Sequence, residues 1–318
     1  MTSKAGGSRF KRWKKPLTVV FFLLLIVLFT LLARRIDWSE VVQTLGDFKL
    51  RTLLIAGALT LCSFLVYASF DLIGRTYIRQ PLGWKQILPV GIISYAFNLN
   101  LSAWVGGIAM RYRLYSRLGV STANIAKILG LSLATNWFGY MALAGVVFAS
   151  GLVTMPPGWK VSTSALQGIG ALLIVASMGY LAACQFSKKR AWSIKGIEIN
   201  LPSLRMACLQ LALGALNWSL MAAVIFTLLP AKLDYPLVLG VLLISAIAGV
   251  VTHIPAGLGV LEAVFVALLQ HEASRGSLLA GLIAYRAIYF ILPLLIALVM
   301  YLTVEAKAKA LRVKKAPA

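Results

Sequence analysis

Acidic side chains are scarce in this chain: 9 Asp and Glu stand against 31 Lys and Arg, a formal net charge of +22 over 318 residues. Charged residues of both signs make up only 13% of the sequence, where a soluble globular domain carries roughly 25%. Hydrophobic residues reach 60% and the mean hydropathy is +0.87, which excludes a soluble domain and defines a polytopic membrane protein. Histidine is nearly absent, at 2 residues, so a Ser-His-Asp triad or a histidine-rich metal centre has almost nothing to be built from. The three cysteines, Cys62, Cys184 and Cys208, lie far apart inside apolar runs and lack both metal-ligand spacing and a paired framework. They read as small packing residues. No nucleotide-binding glycine loop follows a strand, so no catalytic residue, metal or other cofactor is expected. The excess of positive charge sits between hydrophobic runs, where it meets anionic head groups and sets topology, which makes nucleic acid a poor candidate partner.

Crossing roughly 30 Å of hydrocarbon takes about 20 apolar residues. The candidate runs are 17–33, 53–73, 87–104, 128–149, 166–186, 206–229, 237–252 and 278–304. The first follows a basic stretch, Lys11 to Lys15, in the manner of a signal peptide, but it is too long and lacks a small-residue cleavage site, so it is read as a retained span. Between the first two runs, Arg34 to Arg51 places Ile36, Val41, Val42 and Leu45 near one helical face and predicts an interfacial helix. Trp84, Trp104, Trp159 and Trp192 fit interfacial belts.

The positive-inside rule separates two topologies. If every run crosses, Arg111, Arg113, Arg117, Lys127, Lys188, Lys189, Arg190 and Lys195 all fall outside. If the third and seventh runs are re-entrant, 23 Lys and Arg lie inside and 7 outside, with Arg286 alone within a span. The expected fold is therefore all-α: six crossing helices plus two re-entrant helical hairpins, both termini cytoplasmic. Equivalent points in the two halves recur at nearly constant offset, Leu17 to Leu166 by 149 residues, Leu53 to Met206 by 153, Gly106 to Gly257 by 151 and Ile128 to Leu278 by 150. The second half starts on the opposite face, which makes the repeat inverted. The implied organisation is a basic N-terminus (1–16), a first membrane repeat (17–150), a second (151–304) and a basic C-terminus (305–318). Inverted repeats with broken helices near the midplane characterise secondary transporters.

The sharpest interruption is VTHIPAGLGVLEA, Val251 to Ala263. Pro255 removes a helix hydrogen bond, and Gly257 and Gly259 each weaken a helix by about 1 kcal/mol, so one helix stops there and another starts. Irregular backbone at membrane depth is tolerated only inside protein or around a cavity. Gly106 and Gly107 break the first hairpin in the same way, and Arg111 follows them as Glu262 follows Gly257 and Gly259. A helix N-terminus after each break suits an anionic phosphate, and Arg111 and Arg113 strengthen that preference or else anchor the chain at the head groups. Arg286 lies eight residues past Leu278, about 12 Å deep at 1.5 Å per residue. A charge at that depth is normally paired or cavity-facing, and Glu262 could reach it, as gating salt bridge, proton-responsive carboxylate or plain structural pair. His253 could titrate or bind phosphate, or simply pack. Asn98, Asn100, Asn136 and Asn217 are accounted for by interhelical hydrogen bonds.

The segments HIPAGLGVLEAVF and FNLNLSAWVGGIAMRYRLYSRLG, with Arg286 and Pro293, together resemble the lysylphosphatidylglycerol synthase transmembrane superfamily, and within it the YbhN-like inner-membrane proteins of Gram-negative bacteria. The resemblance implies a flippase-like domain that moves aminoacylated or other phospholipids between leaflets, with Pro255, Gly257, Gly259 and Glu262 in the membrane core and Arg111 in the first hairpin. The larger synthases append a soluble aminoacyl-transfer domain; 14 residues follow Val304 here, so synthase activity is not expected. The first hairpin has Ala103-Trp104 where relatives often place a proline. Three functions follow as expectations: translocation of an anionic phospholipid or lipid-linked head group, a membrane-embedded transferase using Glu262 as base, or an accessory subunit of a lipid-synthesising enzyme.

Overall fold

The computed structural model describes residues 38–315, except 102, 154, 156–161, 189, 195–196, 231, 253 and 255–256. The expected first crossing at 17–33 lies outside the described residues. The chain runs α1 (Trp38–Gly46), α2 (Leu50–Tyr77), α3 (Trp84–Leu101), a π-helical turn (Ala103–Ile108), α4 (Ala109–Arg117), α5 (Thr122–Ala149) and α6 (Thr163–Phe186). A short hairpin, β1 (Ala191–Ile194) with β2 (Ile197–Asn200), then leads to α7 (Leu204–Leu228) and α8 (Tyr235–Thr252). The second break is followed by α9 (Val260–Leu269), α10 (Arg275–Tyr285), a second π-helical turn (Arg286–Ile291) and α11 (Leu292–Lys315).

Six helices among the described residues are long and apolar enough to cross a membrane: α2, α5, α6, α7, α8 and the continuous rod from α10 through α11 to Val304. Five match expected crossings. The sixth, α8, is the run expected as the first limb of the second hairpin. Serine starts several of these helices: Ser121, Ser162, Ser203 and Ser274 each accept a hydrogen bond from the amide three residues on, satisfying one of the unpaired donors of the first turn.

At the centre, α2 and α7 pack antiparallel. Ser63 bonds Asn217 midway along them, and Thr76 and Ser203 line one groove at the end where α2 finishes and α7 begins. Contact between α5 and α7 depends on Gly139 and Gly214, since a Cβ on either would overlap the other helix's backbone. Gly170 of α6 meets Ala149 and Gly145 of α5 in the same way. Without hydrophobic driving force between helices in lipid, close backbone approach at small residues is what makes such seams tight. Helix α1 forms as expected but docks on α10: Val41 is buried, whereas its neighbour Val42 is 66% exposed. Successive residues on a helix point about 100° apart, so both cannot share the buried face.

Two segments, each called an excursion below, link helix positions that lie side by side. Gly74 near the end of α2 lies against Ile128 in α5, a built Cβ falling 3.0 Å from its Cα, so α3, the π turn and α4 link two neighbouring points of the bundle. Leu228, the last residue of α7, lies against Gly281 of α10, which makes α8 and α9 a second excursion. The two match in length: α3 and α8 are each 18 residues long and α4 and α9 are 9 and 10, with starts 151 residues apart.

Candidate functional site

Each excursion turns on glycines, for different reasons. Gly106 is pressed against the Phe97 carbonyl and Gly107 against the Asn98 side chain, so any Cβ would collide as the chain doubles back on α3. Gly257 has open space around it but holds φ at +57°, and Gly259 caps α9 at φ +76°; both angles lie in the left-handed region that favours glycine. His253 and Pro255, singled out in the sequence, lie outside the described residues.

The third residue of each short helix is charged, with opposite sign: Arg111 in α4 and Glu262 in α9. Arg111 is 1% exposed and grips Asp71 of α2, Nε donating to Oδ2 at 3.1 Å and the NH2 group to Oδ1 at 3.1 Å. The same NH2 donates to Ser132 of α5 at 3.2 Å, and the Tyr115 hydroxyl donates to Asp71 Oδ2 at 2.9 Å. Every feature of this pair is closed. The guanidinium expected to hold a phosphate is engaged by a carboxylate that sequence reasoning passed over, although Asp71 is the one acid in the run 53–73.

Glu262 and Arg286 meet. Arg286 Nε donates to Glu262 Oε1 at 2.8 Å and its NH2 to Oε2 at 3.3 Å, a two-pronged contact, while NH2 also donates to the Gly257 carbonyl at 3.0 Å. The glycine break therefore supplies one of the arginine's acceptors. Unlike the first pair, this one retains access, with side chains 13% and 20% exposed. Glu262 also stands in the first turn of α9, where the helix dipole favours negative charge and, among the described residues, no side chain caps the free amides. The guanidinium and these amides are donors, and Glu262 supplies the guanidinium's paired acceptors. Arg113, also singled out, is exposed and stacks over Tyr301 at 5.4 Å.

A line of rings joins the pairs. Arg111 sits 5.8 Å from the Tyr67 ring, which stacks on Tyr95 at 3.6 Å; the Tyr95 hydroxyl meets that of Tyr289 at 2.9 Å. Tyr289 contacts Phe290 at 5.9 Å, and Arg286 lies over Phe290 at 4.8 Å. Ser63 and Asn217 complete the centre: the Ser63 hydroxyl lies 2.6 Å from the Tyr289 hydroxyl and donates to Asn217 at 2.8 Å. Asn217 thus makes the interhelical bond expected of it, and Asn100 donates to the Phe290 carbonyl at 3.1 Å. The tyrosines carry no periodic signal in sequence, which is why this column was not foreseen.

The fold and the site define a helical multi-pass membrane protein whose broken helices bring opposite charges together inside the bundle. The lysylphosphatidylglycerol synthase TM region matches residues 17–297, and the chain belongs to that family. It is 48% identical over 309 residues to the Inner membrane protein YbhN of Escherichia coli, covering 95% of this chain and 96% of that one. It is also 27% identical over 260 residues to the Uncharacterized protein slr0712 of Synechocystis, covering 81% and 80%. Its apolar helices and this kinship make it a multi-pass protein of the bacterial inner membrane.

Proposed function

We propose that this protein moves an anionic phospholipid or lipid-linked head group between the leaflets of the inner membrane, flippase-like, with both termini on the cytoplasmic side. The observation that carries the reading is the Glu262–Arg286 pair, two-pronged yet partly accessible, held at a glycine break in a helix. A lipid phosphate offers Arg286 the same paired acceptors as the carboxylate, so it can take the carboxylate's place while the acyl chains stay in the bilayer.

Helix polarity supports the re-entrant, inverted arrangement. Because α2 ends where α7 begins, the chain between them crosses an even number of times; α5 and α6 supply two crossings, leaving the α3–α4 excursion to return to its own side. The α8–α9 excursion starts from the other end of α7 and rejoins at α10 beside Leu228. Two such hairpins entering from opposite faces fit alternating access around a fixed site.

The test is reconstitution of purified protein in liposomes carrying head-group-labelled phosphatidylglycerol, with a membrane-impermeant quencher reporting label on each face. The folded wild type is expected to expose the inner-leaflet label, and Arg286→Ala to slow exposure by more than about tenfold, the size of a charge-assisted contact. No movement by folded wild type overturns the proposal. Absence of transport together with co-purification of a lipid-synthesising enzyme would instead establish the accessory role, and a covalently altered lipid whose formation Glu262→Gln abolishes would establish a transferase.

A further inference from the structure

Where α2 ends and α7 begins, the two helices leave an open groove of about 410 Å³ between them. Leu72, Ile73, Met206, Leu209 and Leu213 wall it, and both helices are candidate membrane spans. Its polar residues are unequally placed. Ser69 and Thr76 return their hydroxyls to backbone carbonyls of their own helix, and Ser203 is occupied as the cap of α7. Arg205 remains: it lines the groove in the first turn of α7, is exposed, and has no hydrogen bond, ion pair or ring contact among the described residues.

Two more arginines stand beside that end. Arg190 donates to the Pro202 carbonyl next to the α7 cap, and Arg75, adjacent to Thr76, donates to the Leu82 carbonyl. Among the described residues both guanidinium groups donate only to neutral carbonyl oxygens, which leaves their charge in place at that end. The groove is thus apolar along its length and cationic at one end, with the start of a 25-residue helix adding partial positive charge at the same end. These properties complement an anionic phospholipid lying along the seam.

We infer that the α2–α7 groove binds one anionic phospholipid, its phosphate on Arg205 and an acyl chain against Leu209 and Leu213. The site shares no lining residue with either ion pair and stands whether or not the protein transports lipid. In its place at the seam of the two halves, the bound lipid is positioned to hold α2 and α7 together at the end where protein contact between them is incomplete. The cationic end selects the phosphate, and the apolar walls exclude a free anion.

Native mass spectrometry of the full chain released from detergent, with phosphatidylglycerol or phosphatidylcholine of identical chains, tests this directly. Wild type is expected to retain one phosphatidylglycerol about tenfold better than phosphatidylcholine, and Arg205→Gln to remove most of that preference. Leu209→Trp, which fills the groove, should lower retention of both lipids. Unmodified protein crosslinked to phosphatidylglycerol bearing a photoreactive acyl chain should carry label within residues 203–213, and millimolar inorganic phosphate should not compete. An unchanged preference in Arg205→Gln, or labelling that avoids both 69–76 and 203–213, overturns the inference. The crosslink decides the matter even where Leu209→Trp fails to fold, and none of these readouts depends on lipid translocation.

Discussion

Asp71 and Arg111 are almost wholly removed from solvent, at 0% and 1% exposure, and each satisfies the other. Deleting one partner strands a buried charge, which typically costs 3 to 5 kcal/mol, roughly enough to unfold a marginal protein. Asp71→Ala is therefore expected to lose folded yield or to melt far below wild type in detergent, whereas Asp71→Leu combined with Arg111→Met should recover part of that loss. A double variant no better than either single would show that the pair acts through something besides charge compensation. Glu262→Gln should behave differently. The amide oxygen of the variant can still accept from Arg286, which also keeps the Gly257 carbonyl, so melting should fall by less than in Asp71→Ala, while lipid movement is expected to change strongly. Of these four charges, three were readable from the sequence, because a charge next to a glycine break or deep in a span is conspicuous. Asp71 was not. It lies at the end of an apolar run, where a carboxylate is equally at home facing water, and only the folding of α4 against α2 encloses it.

Among the elements, the two broken helices share a plan but use glycine differently, and substitution should separate the two uses. Gly106→Ala places a Cβ on the Phe97 backbone, which cannot yield without opening the hairpin, so a loss of more than about 2 kcal/mol is expected. At Gly257 the space is free and only the left-handed angle is strained, which costs about 1 to 2 kcal/mol. Thermal melts of the two alanine variants should rank Gly106→Ala as the less stable, and the reverse order would show that the first turn adjusts more readily than its packing suggests. Both breaks were legible because Gly-Gly and Pro-x-Gly-x-Gly inside an apolar run interrupt any helix. The π-helical turn at Arg286 was not, since nothing in RAIYFI breaks a helix. Nor was the β1–β2 hairpin, whose segment stood out only for its basic charge.

At the scale of the whole molecule, the arrangement of crossings is open to a direct check. In a cysteine-free background, single cysteines at the exposed positions Ser116 and His271 flank the two excursions. Labelling in inverted and right-side-out vesicles is expected to reach Ser116 only from the cytoplasm and His271 only from the periplasm. Labelling of both from one side would remove the inversion and leave the transport reading to rest on family membership. Sequence alone determined that this is a membrane protein, where nearly all of its long described helices run, and where those helices break. These follow from local quantities, hydropathy summed over a span and backbone preferences at glycine and proline. Tertiary structure decided which charges meet, that Arg111 is closed by Asp71 while Arg286 stays partly open with Glu262, and that tyrosines from α2, α3 and the second π turn form one column. Such contacts depend on the rotation and depth of helices far apart in the chain, and an apolar helix with no polar face records neither.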